Sequence, residues 1–297
     1  MRQTGSDPFW RTYHPDVTDV LVTAAFLHEQ GRSVRILDVR GRVLPQEPRY
    51  RAEPEAYRAG HIPGAVFVDW RHDFTDRDDP VPVQLAPPEV FAADATRLGI
   101  TNDSVVVAYD DYRNVLAGRV VWALHTYGHA RSHILDGGLN AWVAAGYDLC
   151  AGDERPEPAE PPYRAGERGA EMWGLREMRA ALDRNVLILD ARAHAEYAGV
   201  ESHARRHGHI PGAVNVPYRD LLAHDGPFLP PAALRQAFAD AGVDVERVDR
   251  PVVVYCNGGV SATAVANALA LAGGPAAAVY DGSWNEWGNR EDTPVEN

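Results

Sequence analysis

At 297 residues the chain is longer than one hydrophobic core usually serves, so two domains of about 130–150 residues each are expected. Its 45% hydrophobic and 24% charged residues are those of an ordinary globular protein, and 29 Lys+Arg against 42 Asp+Glu leave a formal charge of −13 that argues against nucleic acid as a partner. No stretch reaches the roughly 18 apolar residues of a membrane span, and Met1–Trp10 has no basic segment followed by an apolar run, which argues against a membrane partner and predicts a cytoplasmic location.

In chain order, the first signal is Ile36-Leu37-Asp38-Val39-Arg40, an apolar run ending in a charged pair. Gly60-His61-Ile62-Pro63-Gly64-Ala65-Val66 follows, then the run Val105-Val106-Val107-Ala108-Tyr109-Asp110, then Asp136-Gly137-Gly138 through Trp142. All of these return later in the same order. Ile188-Leu189-Asp190-Ala191-Arg192 matches the first, Gly208-His209-Ile210-Pro211-Gly212-Ala213-Val214 the second, and Asp281-Gly282-Ser283 through Trp287 the last. His61 and His209 are 148 positions apart, the length of a domain and far beyond a solenoid period, so the chain reads as a diverged duplication.

The segment Ala151–Pro162, rich in proline and charge and without apolar periodicity, reads as the start of a linker. The predicted organisation is a first domain over 1–150, a Pro/Glu-rich linker over 151–172 and a second domain over 173–297. Cys150, at the linker edge, reads as a spare surface thiol. With Cys256 it makes two cysteines in different halves, which supply no disulfide framework.

In the second half, Val186–Leu189, Val252–Tyr255 and Ala277–Tyr280 are brief apolar runs bounded by turn residues and predict buried strands. Ala232–Ala241 and Ala262–Ala272 have helical spacing. Strands separated by helices predict parallel pairing, and hence an α/β class with two domains, each a parallel sheet flanked by helices.

The stretch Val252-Val253-Val254-Tyr255-Cys256-Asn257-Gly258-Gly259-Val260-Ser261 carries the chemistry. A buried strand ends on Cys256 and a glycine loop leads into a helix, the usual binding position in open α/β sheets. Backbone N–H groups from Asn257, Gly258, Gly259, Val260 and Ser261 are expected to curl around an anion there, aided by the helix N-terminus. Such a cradle would favour the thiolate of Cys256 and make it the nucleophile. Ser261 is expected to cap the helix or to donate its hydroxyl to a substrate. His61 and His209 share one context while only one half has the cysteine, so they are expected to tie a turn. No CxxC or HExxH spacing occurs, so no metal and no other cofactor is predicted.

Taken together, the Asp190-Ala191-Arg192 strand end, the Gly208–Ala213 turn, the Cys256 loop, and Tyr280-Asp281-Gly282-Ser283 with Trp284 and Trp287 resemble the rhodanese family in its tandem form, over about Val17 to Trp287. The resemblance implies a sulfurtransferase that moves a sulfane sulfur from thiosulfate or 3-mercaptopyruvate to a thiol or cyanide through a Cys256 persulfide. It also implies a first half without catalysis, because Asp110 stands at the cysteine position. Rhodanese-like phosphatases resemble these enzymes but place an arginine six residues after the cysteine; here that residue is Ala262. The neutral loop after Cys256 leans toward mercaptopyruvate, whereas Glu196 falls where the family places an arginine for the donor anion. Arg205 and Arg206, in the polar loop before Gly208, are the candidate substitutes and otherwise read as solvated surface, while Asp190 and Arg192 resemble a strand-end pair that either orders the loop near the site or contacts the substrate directly. A sulfur-carrier or redox-sensing persulfide module without small-donor turnover is the alternative.

Overall fold

The structure, a computed structural model, describes residues 20–224 and 226–297. The reading of Met1–Trp10 lies outside the described residues. Among the described residues two compact units emerge, one within 20–74, 87–167 and 226–227, the other within Thr75–Ala86, Arg168–His224 and Phe228–Asn297. The units therefore do not follow a clean division of the chain at 150 and 173. Thr75–Ala86 belongs with the second unit because the Leu85 amide donates to the buried Asp281 carboxylate at 2.8 Å, giving that charge a partner.

The first unit contains β1 (Leu21–Val22), α1 (Ala24–Gln30), β2 (Arg35–Asp38), β3 (Gly41–Val43), β4 (Tyr50–Ala52), α2 (Pro54–Ala59) and β5 (Ala65–Phe67). It continues with α3 (Pro88–Arg97), β6 (Val106–Tyr109), α4 (Val115–Thr126), β7 (Ser132–Leu135) and α5 (Gly138–Ala144). Five strands pair in parallel in the order β1-β7-β6-β2-β5, and β3-β4 forms a separate antiparallel pair. The proline-rich segment after Cys150 is not a free tether at its start. The Ala159 amide donates to the Thr96 carbonyl, the Tyr163 amide to Thr96 Oγ1, and Tyr163 is buried.

The second unit contains β8 (Met172–Trp173), α6 (Leu175–Ala181), β9 (Leu187–Asp190), α7 (His194–Tyr197), β10 (Val214–Asn215), α8 (Pro231–Asp240), β11 (Val252–Tyr255), α9 (Ser261–Leu271), β12 (Ala277–Tyr280) and α10 (Ser283–Trp287). Its parallel sheet runs β10-β9-β11-β12-β8, the strand order of the first unit read from the other edge. The three predicted strands and both predicted helices form within one or two residues of their expected bounds. Each central strand, β6 or β11, is buried at every position, as a strand covered by helices on both faces must be.

Inside each sheet the same polar lattice recurs. Tyr109 on β6 donates to Asp38 and Tyr255 on β11 to Asp190, each at 2.5 Å. Arg40 and Arg192 fork onto those carboxylates and reach the carbonyls of Gly60 and Gly208 at 2.7 and 2.9 Å. The amides of Ile62 and Ile210 close the circuit on the two tyrosine hydroxyls. This lattice fixes the glycine-histidine turn against the strand ends, and each histidine donates Nδ1–H to a carbonyl, His61 to Tyr57 and His209 to Tyr197, at 2.9 Å. The turn-tying role expected of both histidines is thus what the structure shows.

Candidate active site

Strand β11 delivers Cys256 to the carboxyl edge of the sheet, and the loop 256–260 joins it to α9. Gly259 holds φ +70°, a left-handed conformation that favours glycine, so the chain can turn back on itself within four residues. Cys256 is 2% exposed and carries a free thiol.

A residue that the sequence marks only as part of the repeated Asp281-Gly282-Ser283 element controls this loop. Ser283, fully buried at the start of α10 with φ +50°, accepts from the amides of Cys256 at 3.1 Å and Gly259 at 3.0 Å, and donates to the Tyr280 carbonyl at 2.7 Å. The amides of Trp284 and Asn285 donate in turn to the carbonyls of Cys256 and Asn257. Short helix α10 is therefore a splint along the loop. Its register could have been suspected from the repeated Asp-Gly pair, Asp136-Gly137 and Asp281-Gly282, but nothing in the sequence says that the Ser283 hydroxyl turns inward.

The expected ring of amides around the Cys256 sulfur needs correction in one respect. Among the described residues, no amide hydrogen-bonds to Cys256 Sγ, and two of the loop amides are held by Ser283 instead. The amides of Asn257, Gly258 and Val260 have no protein acceptor among the described residues. The first unit displays the same loop filled. There the Asp110 carboxylate, fully buried, accepts from the amides of Tyr112 and Asn114 on one oxygen and of Leu116 and Ala117 on the other, all at 2.8–2.9 Å. Burial pushes this carboxyl up to about 6 against the pull of the Ala117, Tyr112 and Asn114 amides, which leaves it ionised at neutral pH.

The remaining candidates separate cleanly. Asn257 donates Nδ2–H to Glu196 at 2.7 Å, and Glu196 also accepts from the Ala193 amide at 3.2 Å, with His203 at 3.9 Å. Glu196 thus occupies the place expected for a donor-binding cation and tethers the loop instead. Arg192 does not lie open to a substrate: it is 2% exposed, bidentate to Asp190, and lies 4.4 Å from the Trp284 ring and 5.5 Å from Tyr255. Burial disfavours its charge, but the Asp190 carboxylate outweighs this and raises its affinity for the proton. Since Arg40 repeats the arrangement on Asp38 in the unit without the cysteine, both arginines serve the strand end, a structural role. Ser261 is the first residue of α9 and does not cap it; Val260 takes the N-cap position without a side-chain bond. Arg205 is exposed, its amide held by Asn289 at 2.9 Å. Arg206, expected on solvated surface, instead stitches the loop to the C-terminal segment through the carbonyls of Trp287 and Thr293, each at 2.6 Å.

Two copies of one parallel α/β sheet, with a cysteine after the central strand of one and an aspartate after that of the other, define a tandem-repeat enzyme scaffold with one candidate nucleophile. The chain belongs to the rhodanese family: the Rhodanese-like domain matches residues 23–145 and 175–290. It is 35% identical over 273 residues to the 3-mercaptopyruvate sulfurtransferase of Escherichia coli strain K12, covering 91% of this chain and 94% of that one. It is 33% identical to the thiosulfate sulfurtransferase of Rattus norvegicus, covering 88% and 86%. The crystal structure of SseA from Escherichia coli superposes with a TM-score of 0.79 at 33% identity, over 90% of this chain and 99% of that chain. The chain is accordingly a sulfurtransferase. No helix among the described residues is long and apolar enough to cross a membrane.

Proposed function

We propose that this sulfurtransferase takes a sulfane sulfur from thiosulfate or 3-mercaptopyruvate, carries it as a persulfide on Cys256, and passes it to a thiol or cyanide. The Cys256 thiolate attacks the outer sulfur of the donor. From thiosulfate the S–S electron pair leaves with sulfite; from mercaptopyruvate the C–S pair leaves as the pyruvate enolate, which takes a proton. The acceptor thiolate or cyanide then attacks the outer sulfur of the persulfide, and the S–S electrons return to Cys256.

One observation carries this reading. Counted from Cβ, a persulfide anion places its charge two atoms out, as does the Asp110 carboxylate that the homologous loop holds with four amides. The second loop therefore suits the sulfur that arrives on Cys256 more than the thiolate that waits for it, in keeping with amides that do not reach Sγ. Since the S–S bond, about 2.05 Å, is longer than a C–O bond of about 1.23 Å, the open cradle has to be wider than the filled one. The cradle is made of main-chain dipoles, which suits a protein whose net charge of −13 repels anions at long range.

The first unit, with a carboxylate that cannot carry sulfur, takes no part in the covalent step under this reading. The neutral loop Cys256–Ser261 favours mercaptopyruvate over the thiosulfate dianion, and the Glu196 carboxylate tied to Asn257 works in the same direction. Incubation with each donor followed by intact mass measurement tests the proposal. An added mass of about 32 Da, present in the native chain and absent in Cys256→Ser, is the expected result. No adduct with either donor would sink it, and one stoichiometric transfer without turnover would point to a carrier instead.

A further inference from the structure

The antiparallel bridge between His61 and Cys150 joins residues far apart in sequence, with amide-to-carbonyl distances of 2.8 and 2.9 Å. It sets the Cys150 sulfur 3.2 Å from His61 Nε2 and 3.7 Å from the His61 carbonyl. The geometry points to a binding site for a thiophilic divalent cation of the zinc class, formed by His61, Cys150 and Glu154.

The tautomer of His61 is fixed by its surroundings. The Tyr57 carbonyl can only accept, so Nδ1 carries the proton at 2.9 Å and Nε2 presents its lone pair to the thiol. An imidazole whose far nitrogen is anchored to a backbone carbonyl is the usual form of a metal-bound histidine, because the anchor fixes both ring orientation and basicity. The ring also stacks on Tyr57, centroids 4.1 Å apart, and is 1% exposed, so the donor does not have to be ordered on binding.

A sulfur, an imidazole nitrogen and a carboxylate oxygen of the three residues all lie within 4.8 Å of one another. A tetrahedral ion with a Zn–S bond of about 2.3 Å and a Zn–N bond of about 2.0–2.1 Å separates sulfur and nitrogen by about 3.6 Å, so a rotamer adjustment of a few tenths of an ångström opens the pair. Binding exchanges the S–H proton for the cation and releases that proton to solvent, with no change of oxidation state. Cys150 and Glu154 are half-buried, which leaves the fourth position to water. A mixed thiolate, imidazole and carboxylate set favours zinc or cobalt over magnesium or calcium, which take oxygen ligands. Arg32, 3.7 Å from Glu154, is highly exposed and competes weakly.

The second unit supplies a contrast. Its histidine bridges to Glu296, with Nε2 3.8 Å from the carboxylate, so the position of Cys150 is taken there by an acid and no thiol is offered. The donor set is peculiar to the first unit. Motif spacing could not reveal it, because the bridge, and not a helix or a knuckle, brings the ligands together.

Cobalt(II) titration of the full chain tests the site through thiolate-to-cobalt charge-transfer absorption, with zinc added to displace it. The expected result is one cobalt per chain and one proton released, a band kept in Cys256→Ser, lost in Cys150→Ser, and a binding constant weakened at least tenfold in Glu154→Gln. Cys150→Ser and Glu154→Gln are used because a His61 variant would disturb the turn that the ring supports. A band that persists in Cys150→Ser, disappears in Cys256→Ser, is unweakened in Glu154→Gln, or never forms overturns the assignment.

Discussion

Replacing Ser283 by alanine removes one oxygen and with it three hydrogen bonds, from the amides of Cys256 and Gly259 and to the Tyr280 carbonyl. At about 1 kcal/mol net for each bond the loss is about 3 kcal/mol, and more if the buried Cys256 amide finds no water to replace the hydroxyl. A second variant separates the hydroxyl from the backbone. Ser283 sits at φ +50°, where a residue with a Cβ is strained by about 1 kcal/mol, so Ser283→Gly loses the same three bonds but recovers the strain. The expected order of stability is native, then glycine, then alanine, the reverse of the usual helix preference at the start of α10.

Urea unfolding of the three proteins reads this order directly. Sulfur loading of Cys256, followed by mass at a temperature where all three are folded, reads the consequence for the loop. Once Ser283 no longer holds two of its amides, the loop samples more conformations, and the rate of loading is expected to fall at least tenfold, about 1.4 kcal/mol in the barrier. An alanine variant within about 0.5 kcal/mol of native that loads at the native rate would refute the splint role. A glycine variant less stable than the alanine variant would refute the strain argument alone.

Three further outcomes can be checked. Glu196→Gln keeps an acceptor for Asn257 and removes a negative charge beside the loop, so KM for anionic donors is expected to fall roughly three- to tenfold, more for thiosulfate than for mercaptopyruvate, with kcat little changed; equal KM values for both proteins would remove any electrostatic role. Asp110→Asn is expected to weaken the first unit in thermal melts, since an amide nitrogen then faces backbone donors, while loading stays at one sulfur per chain; a folded variant that fails to load would bring the first unit into the chemistry. Burial, with a smaller contribution from nearby His125, holds His133 down to about 4, so the unfolded chain takes up that proton first and stability drops as pH falls from about 6.5 to about 4. His133→Leu is expected to flatten that decline by about 2 kcal/mol in urea titrations at pH 7 and pH 4.5, and an unchanged slope would count against a buried neutral ring.

The strands and helices that position Cys256 were legible because each is a short apolar run or a periodic one, and the duplication marked which turns matter. The side-chain roles were less legible, and for a common reason: they depend on which of two neighbours a polar atom turns toward. Ser283 lies 27 positions from Cys256, and its inward hydroxyl follows from a left-handed backbone that the sequence does not announce. Arg206 looks like its exposed neighbour Arg205 until two carbonyls of the C-terminal segment are brought to it. Cys150 looked idle because its partner is 89 positions away across a single bridge.

Duplication also gives an internal control for assigning roles. What both units keep serves the shared fold: the lattice of Asp38, Arg40, Tyr109 and Gly60 reappears as Asp190, Arg192, Tyr255 and Gly208, although only one copy ends in a cysteine. By that criterion Arg192 belongs to the architecture, whatever its proximity to Trp284 suggests. What one unit alone keeps is where function is to be sought, and the clearest difference is the group at the end of the central strand. Asp110 fills its own cradle with four amides, which under the proposed reading leaves no chemistry there. Under the proposed reading Cys256 stops one atom short of its cradle, and the amides of Asn257, Gly258 and Val260, which have no protein acceptor among the described residues, await the atom a donor would supply. A loop so built is stabilised by loading, so the persulfide form should resist unfolding better than the free thiol, a difference that unfolding curves of loaded and cyanide-stripped protein would reveal.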